Sequence, residues 1–179
     1  MIEARAFVGS LDSAREALDK EQAVNQGRYR INDSIYRNYD AGISLVDEFL
    51  RLREVPENIW NEKEVILALK QTDLRKVGKR SRIPLKLQFD HKSDAEAYYI
   101  EHLQNEYLFD FSFSRVGWQY FLPNGDIVDL EIVEDKYPTI EFKSKTDAGI
   151  EQLAKLLSIQ KHEVITGPSV VAVKRLLKV

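Results

Sequence analysis

The stretch EFLRLRE, residues 48–54, decides how the rest of the chain is read. In an extended strand successive side chains alternate, so Phe49, Arg51 and Arg53 share one face while Leu50 and Leu52 share the other. Two arginines two residues apart can grip one polyanion. They can equally meet water, as the polar face of a one-sided antiparallel sheet does. The choice depends on whether the same parity recurs along the chain.

It does recur, each time followed by a helix signal. Ile2, Ala4, Ala6 and Val8 alternate with Glu3, Arg5 and Phe7, after which Ser10 or Asp12 can cap a helix through Ala14, Ala17 and Leu18. Ile83, Leu85, Leu87 and Phe89 alternate with Arg82, Pro84, Lys86 and Gln88, ahead of Ser93-Asp94 and a helix through Tyr98, Ile100 and Leu103. Ile140 and Phe142 alternate with Glu141, Lys143 and Lys145, ahead of Thr146-Asp147 and a helix through Ile150, Leu153, Leu156 and Leu157. EVILALK, residues 64–70, is a more uniformly apolar strand that ends at Lys70. Residues 109–134 read as a hairpin turning at Pro123-Asn124-Gly125-Asp126, where Asn-Gly tolerates positive φ. The tail SVVAVKRLL is a short helix or a last strand, its β-branched valines leaving both open. The predicted class is α+β: an antiparallel β-barrel or cupped sheet with helices packed outside.

Composition limits what such a sheet can do. At 179 residues, 44% of them hydrophobic, the chain suffices for one domain, built from two halves of about 1–105 and 106–179. Without cysteine there is no disulfide framework, thiolate metal site or cysteine nucleophile. The first residues lack the apolar core of a signal peptide and no apolar run can span a bilayer, so a cytoplasmic protein without membrane association is expected. Net charge is −3, which exerts no global pull on nucleic acid, although Arg75, Lys76, Lys79, Arg80, Arg82 and Lys86 form a run of six bases with no acid between them. That run reads as a solvated loop leading into a strand, since aromatics do not interleave it. There is no Gly-x-x-x-x-Gly-Lys, Gly-x-Gly-x-x-Gly or His-Glu-x-x-His motif, and His91, His102 and His162 lack ligand spacing.

Glu3, Arg5, Arg51, Arg53, Lys70, Arg82, Lys86, Arg115, Glu131, Glu141 and Lys143 all fall in strand-like segments. If the sheet curls, the charged parity lines its lumen, and a lumen rich in bases is costly unless an anion fills it. A polyphosphate with a divalent cation meets that requirement, bases facing phosphate oxygens and carboxylates facing the metal.

In this order the residues resemble the CYTH superfamily, the triphosphate tunnel metalloenzymes that include class IV adenylate cyclases, thiamine triphosphatases and inorganic triphosphatases. The resemblance covers nearly the whole chain. Met1-Ile2-Glu3-Ala4-Arg5 aligns on the family's Glu-x-Glu-x-Lys, with Met1 where the first glutamate belongs and Arg5 as the base. Arg51 and Arg53 match Leu-Arg-x-Arg, Lys70 the lysine that follows, Arg82 the next strand's arginine and Arg115 the arginine of the second half. Glu131 stands for the usual aspartate. Glu141-Phe142-Lys143 stands for a Glu-x-Glu pair whose second glutamate is now lysine. Several carboxylates have thus become neutral or basic while the bases are kept.

The resemblance implies Mg²⁺ or Mn²⁺ held by Glu3, Glu131 and Glu141. It places Arg51, Arg53, Lys70, Arg82, Lys86, Arg115 and Lys143 on the phosphates, and Arg5, Lys70 and Arg115 at the chemistry. The implied substrate is ATP, thiamine triphosphate or tripolyphosphate, hydrolysed or cyclised without a covalent nucleophile. The alternative is a non-catalytic member that binds nucleotide, polyphosphate or an RNA 5′-triphosphate; a homodimer is left open.

Overall fold

The computed structural model describes residues 1–38, 46–57, 64–73, 81–160, 162–165 and 169–178. Its strands are β1 (Ile2–Phe7), β2 (Val24–Arg37), β3 (Val46–Glu57), β4 (Glu64–Asp73), β5 (Ser81–Phe89), β6 (Leu108–Phe121), β7 (Ile127–Val133) and β8 (Tyr137–Ser144). Its helices are α1 (Asp12–Lys20), α2 (Lys92–His102), α3 (Asp147–Leu156) and α4 (Ser169–Leu177). All eight strands join one antiparallel sheet in the order β1-β8-β7-β6-β2-β3-β4-β5. Of the barrel and the cupped sheet expected, the cup is found. β1 and β5 are its edges, yet Glu3 of β1 and Lys70 of β4 line one cavity across the five intervening strands.

Parity gives the sheet two chemically different faces. The convex face is apolar, and helices cover it. Ala6, Val128, Leu130, Ile140 and Phe142 pack with Leu11, Ala14 and Leu18 around α1, and with Leu153 and Leu157 around α3. Around α2, Ala95 packs with Leu50, Leu52, Val65 and Leu67. Burial of each such leucine stabilises the fold by about 1.5–3 kcal/mol. The Thr146 side chain caps α3 by accepting from the Gly149 amide at 3.1 Å, and the β6–β7 hairpin turns through Gly125 at φ 85°.

One element was missed in the sequence, and one left open as helix or strand is decided by the structure. β2 was not foreseen, although at 14 residues it is one of the two longest strands and stands mid-sheet between β6 and β3. The ambiguous tail is a helix, and α4 sits within the cup. Its Val170 and Val173, three apart, pack on Ile35, Phe49, Phe111 and Phe113 of the concave face. Lys174 of α4 pairs with Asp110 beside this cluster.

Among the described residues no helix is long and apolar enough to cross a membrane. The basic run expected to lie in a loop falls largely outside the described residues, Arg75, Lys76, Lys79 and Arg80 among them.

Candidate functional site

The concave face carries a band of charge between two apolar ends. At one end stand Ile35, Phe49, Phe111, Phe113 and α4; at the other stand Tyr29, Ile31 and Val55. Between them opens a cavity of about 170 Å³ whose charged lining is Arg5, Arg51, Arg53, Lys70, Arg115 and Lys143 with Glu3, Asp33 and Glu141. Six bases thus face three acids.

Strand register places each of them. Asp33 of β2 lies opposite Arg53 of β3, whose Nε and Nη2 donate to the two Asp33 oxygens at 2.8 Å each. Arg51 and Arg115 approach the same carboxylate at 3.9 and 3.7 Å. Burial alone would raise the Asp33 pKa, but Arg53 and Arg51 overcome it and hold the carboxyl well below its ordinary range.

On the other side of the cup Arg5 is the hub. Its register partner on β8 is Glu141, and Glu131 lies one strand further on, in β7. The Arg5 guanidinium donates to both carboxylates and, at 3.1 Å, to Thr139 Oγ1. Glu131 also accepts from Tyr29 Oη at 2.6 Å and faces Arg115 Nε at 3.1 Å. The Tyr29 ring reaches it by lying across Gly117, where a β-carbon would come within 2.4 Å of the ring. Lys143 Nζ stands 2.7 Å from Glu141 and 2.9 Å from Asp129, and Gln119 donates to the second Asp129 oxygen at 2.8 Å.

The remaining bases lack such partners. Lys70 Nζ makes no hydrogen bond or ion pair among the described residues, and Arg51 Nε is buried without a hydrogen bond. Burial, with Arg53 beside it, lowers the Arg51 pKa to about 9; burial, with Arg51 and Arg53 beside it, lowers that of Lys70 to about 8. Both depressions record burial first and neighbouring cations second, which Asp33 at Arg51, and Glu3 and Glu141 at Lys70, oppose without offsetting.

Of the residues singled out from sequence, the structure brings Glu3, Arg5, Arg51, Arg53, Lys70, Arg115, Glu141 and Lys143 to one cavity. Glu131 lies beneath that lining, 2% exposed, with its oxygens facing Arg5, Arg115 and Tyr29. Lys86 is exposed on edge strand β5, opposite Ala68, which is opposite Arg51; it shares the concave face without lining the cavity. The Arg82 side chain lies outside the described residues. Asp33, Tyr29 and Asp129 were missed. The spacing of Asp129 and Glu131 on one strand face was the available signal for Asp129; Asp33 was hidden with its strand.

No protein-family model matches the chain, and no curated protein does. Solved structures match its fold over nearly the full length. PH1819 from Pyrococcus horikoshii is 16% identical with a TM-score of 0.71, all of both chains being covered. A Vibrio parahaemolyticus protein provisionally assigned as an adenylate cyclase is 12% identical with a TM-score of 0.69, over 99% of this chain and 97% of that one. HpAC1 from Hippeastrum, described as having a dominant triphosphatase activity, is 15% identical with a TM-score of 0.65, over 97% of this chain and 94% of that one. At such identities the likeness is one of fold.

Proposed function

We propose that this chain, which has the CYTH fold, binds a triphosphate or other polyphosphate in the cup between β1, β3, β4 and β6. The observation that carries the reading is the surplus of bases in the cavity, with Lys70 unpaired and Arg51 Nε unsatisfied. Buried cations without a counter-ion destabilise a fold, and a polyanion supplies several acceptor oxygens at once. Arg51, Arg53, Lys70 and Arg115 converge on it from three strands, β3, β4 and β6.

Four of the five acids in or beneath the cavity, all but Glu3, are turned to other partners and do not fit a divalent cation. Glu131 faces two arginines and a tyrosine, Glu141 faces Arg5 and Lys143, Asp129 faces Lys143 and Gln119, and Asp33 faces Arg53. Among the described residues no group of three or more carboxylates or imidazoles is placed to hold a metal. Binding as proposed therefore passes through the bases alone.

A second reading, hydrolysis or cyclisation, is favoured by the triphosphatase activity described for HpAC1. It needs Glu3, Glu131 and Glu141 released to Mg²⁺ or Mn²⁺, with Arg5, Lys70 and Arg115 left at the reacting phosphate. Calorimetric titration with tripolyphosphate, thiamine triphosphate, ATP and RNA 5′-triphosphate, run beside an assay for released phosphate and pyrophosphate, separates the two. Saturable binding of at least one ligand is expected. Absence of binding by all four overturns the proposal, and release that depends on added metal establishes the second reading.

The unpaired lysine gives the site a pH dependence. With its free-state pKa near 8, Lys70 loses its charge above that pH, whereas a bound anion restores it. Affinity for tripolyphosphate should hence be level on this account below about pH 8 and fall as pH rises past it. Titration of the phosphate is common to all variants, so the difference in slope between the parent and Lys70→Met isolates the amine. Equal slopes would place Lys70 outside the ligand's reach. By the same sign, the unliganded fold gains stability between about 8 and the ordinary 10.5, because there the unfolded chain binds more protons.

A further inference from the structure

On β8, Glu141 and Lys143 lie two residues apart and share the concave face. Across the β1–β8 ladder Lys143 is directly opposite Glu3, and across the β7–β8 ladder Glu141 is directly opposite Asp129. Two of these carboxylates, on adjacent strands β7 and β8, hold one ammonium, with Glu3 of β1 at the register position across from it. Its Nζ stands 2.7 Å from Glu141 Oε1 and 2.9 Å from Asp129 Oδ2, the separations of charge-assisted hydrogen bonds. Asp129 is 3% exposed and its other oxygen accepts from Gln119, so this acid has no access to bulk water for its neutralisation. Lys143 itself remains 24% exposed and lines the cavity, so its charge reaches the ligand space.

We propose that Lys143 is a tethered cation: its ammonium occupies the seat between Asp129 and Glu141, opposite Glu3, where a divalent ion would otherwise supply the positive charge, and it makes polyphosphate binding here independent of metal. The inference rests on the polyphosphate reading above. Oxygen ligands converging on a point charge are what a hard cation requires, and a lysine supplies one such charge permanently. A lysine is charged at neutral pH and this one stands within hydrogen-bond distance of two carboxylates, so a free cation must displace a tethered one to enter. Withdrawing Lys143 leaves Glu141 and Asp129 without their ammonium, and an added divalent ion is then the available counter-charge.

Calorimetry with tripolyphosphate and Mn²⁺ titration followed by electron paramagnetic resonance test this on the intact chain. Wild type should bind tripolyphosphate in EDTA, and Mn²⁺ alone should show no saturable site. Lys143→Gln should lose affinity in EDTA on the order of tenfold, the worth of one charge-assisted contact. It should gain a saturable Mn²⁺ site, and Mg²⁺ should close the affinity gap to wild type measured in the same buffer. Lys143→Arg should keep the affinity in EDTA. Wild type that binds only with metal overturns the inference and leaves the polyphosphate reading standing. Wild type that binds under neither condition overturns that reading, while the Mn²⁺ titration still reports on the seat. Lys143→Gln that is folded by circular dichroism and takes up no Mn²⁺ overturns the tethered cation. Should the variant not fold, the wild-type titration in EDTA decides alone.

Discussion

Arg5→Ala should melt about 10 °C below the parent protein, a loss of about 3–5 kcal/mol in a chain of this length. The side chain is 2% exposed, and its guanidinium is the common partner of Glu131, itself 2% exposed, and of Glu141. Truncation leaves both acids inside the cup with fewer counter-charges, and the cost of a buried carboxylate that loses its base exceeds what the intact pair contributed. Some compensation remains, since Glu131 keeps Arg115 and Tyr29 while Glu141 keeps Lys143. The pH dependence has a defined sign. Burial raises both carboxyl pKa values; Arg115 and Arg5 at Glu131, and Arg5 and Lys143 at Glu141, pull them below the ordinary 4.5. A depressed carboxylate contributes stability above its unfolded value and loses it as pH falls through the folded one, so the gap between parent and variant should be full at neutral pH and close in acid. Arg28→Ala is the control. It breaks an ion pair to Glu57 in which both side chains are more than two-fifths exposed, and should cost less than about 1 kcal/mol. Equal losses from the two variants would mean that the buried network contributes no more than a surface pair.

The role of Arg5 illustrates what periodicity conveys and what it withholds. Its parity with Glu3 put it on the concave face, and the same rule correctly grouped Arg51 with Arg53 and Glu141 with Lys143. Which charges pair is a matter of register between strands distant in sequence. Nothing local distinguishes Arg5, tied to two glutamates, from Lys70, tied to none. β2 escaped because neither face is continuously apolar: Tyr29, Ile31 and Ile35 are interrupted by Asp33, and Arg28, Arg30, Asn32 and Ser34 occupy the alternate positions. Asp33 is the very residue that the site requires there. The last helix was ambiguous for another reason. Its valines favour a strand intrinsically, and the helix exists because Val170 and Val173 can then both enter the apolar end of the cup.

Replacing Arg51 and Arg53 together with alanine should weaken tripolyphosphate binding by about a hundredfold or more, two charge-assisted contacts being lost at once. The two arginines are not equivalent before the ligand arrives. Arg53 is forked onto Asp33 at 2.8 Å by two nitrogens, whereas Arg51 stands 3.9 Å from the same acid with its Nε unsatisfied. Arg51 is therefore the base with donors to offer, and Arg51→Ala alone should account for most of the loss. Arg53→Ala should have a mixed effect, removing one donor while leaving Asp33 to be neutralised by Arg51 and Arg115, which draws both away from the ligand. Lys86→Ala removes a base of the same strand face that lies at the exposed edge and outside the cavity, and should change affinity less than about threefold. The measurement is calorimetric titration of all four variants at one pH and ionic strength, because diffuse attraction to a basic surface and a built site respond differently to position. A loss from Lys86→Ala as large as that from the double variant would show attraction to net charge and would dissolve the site. A loss concentrated at Arg51 would tie the phosphate to a cavity arginine that stands 3.9 Å from its nearest acid with its Nε buried and unsatisfied.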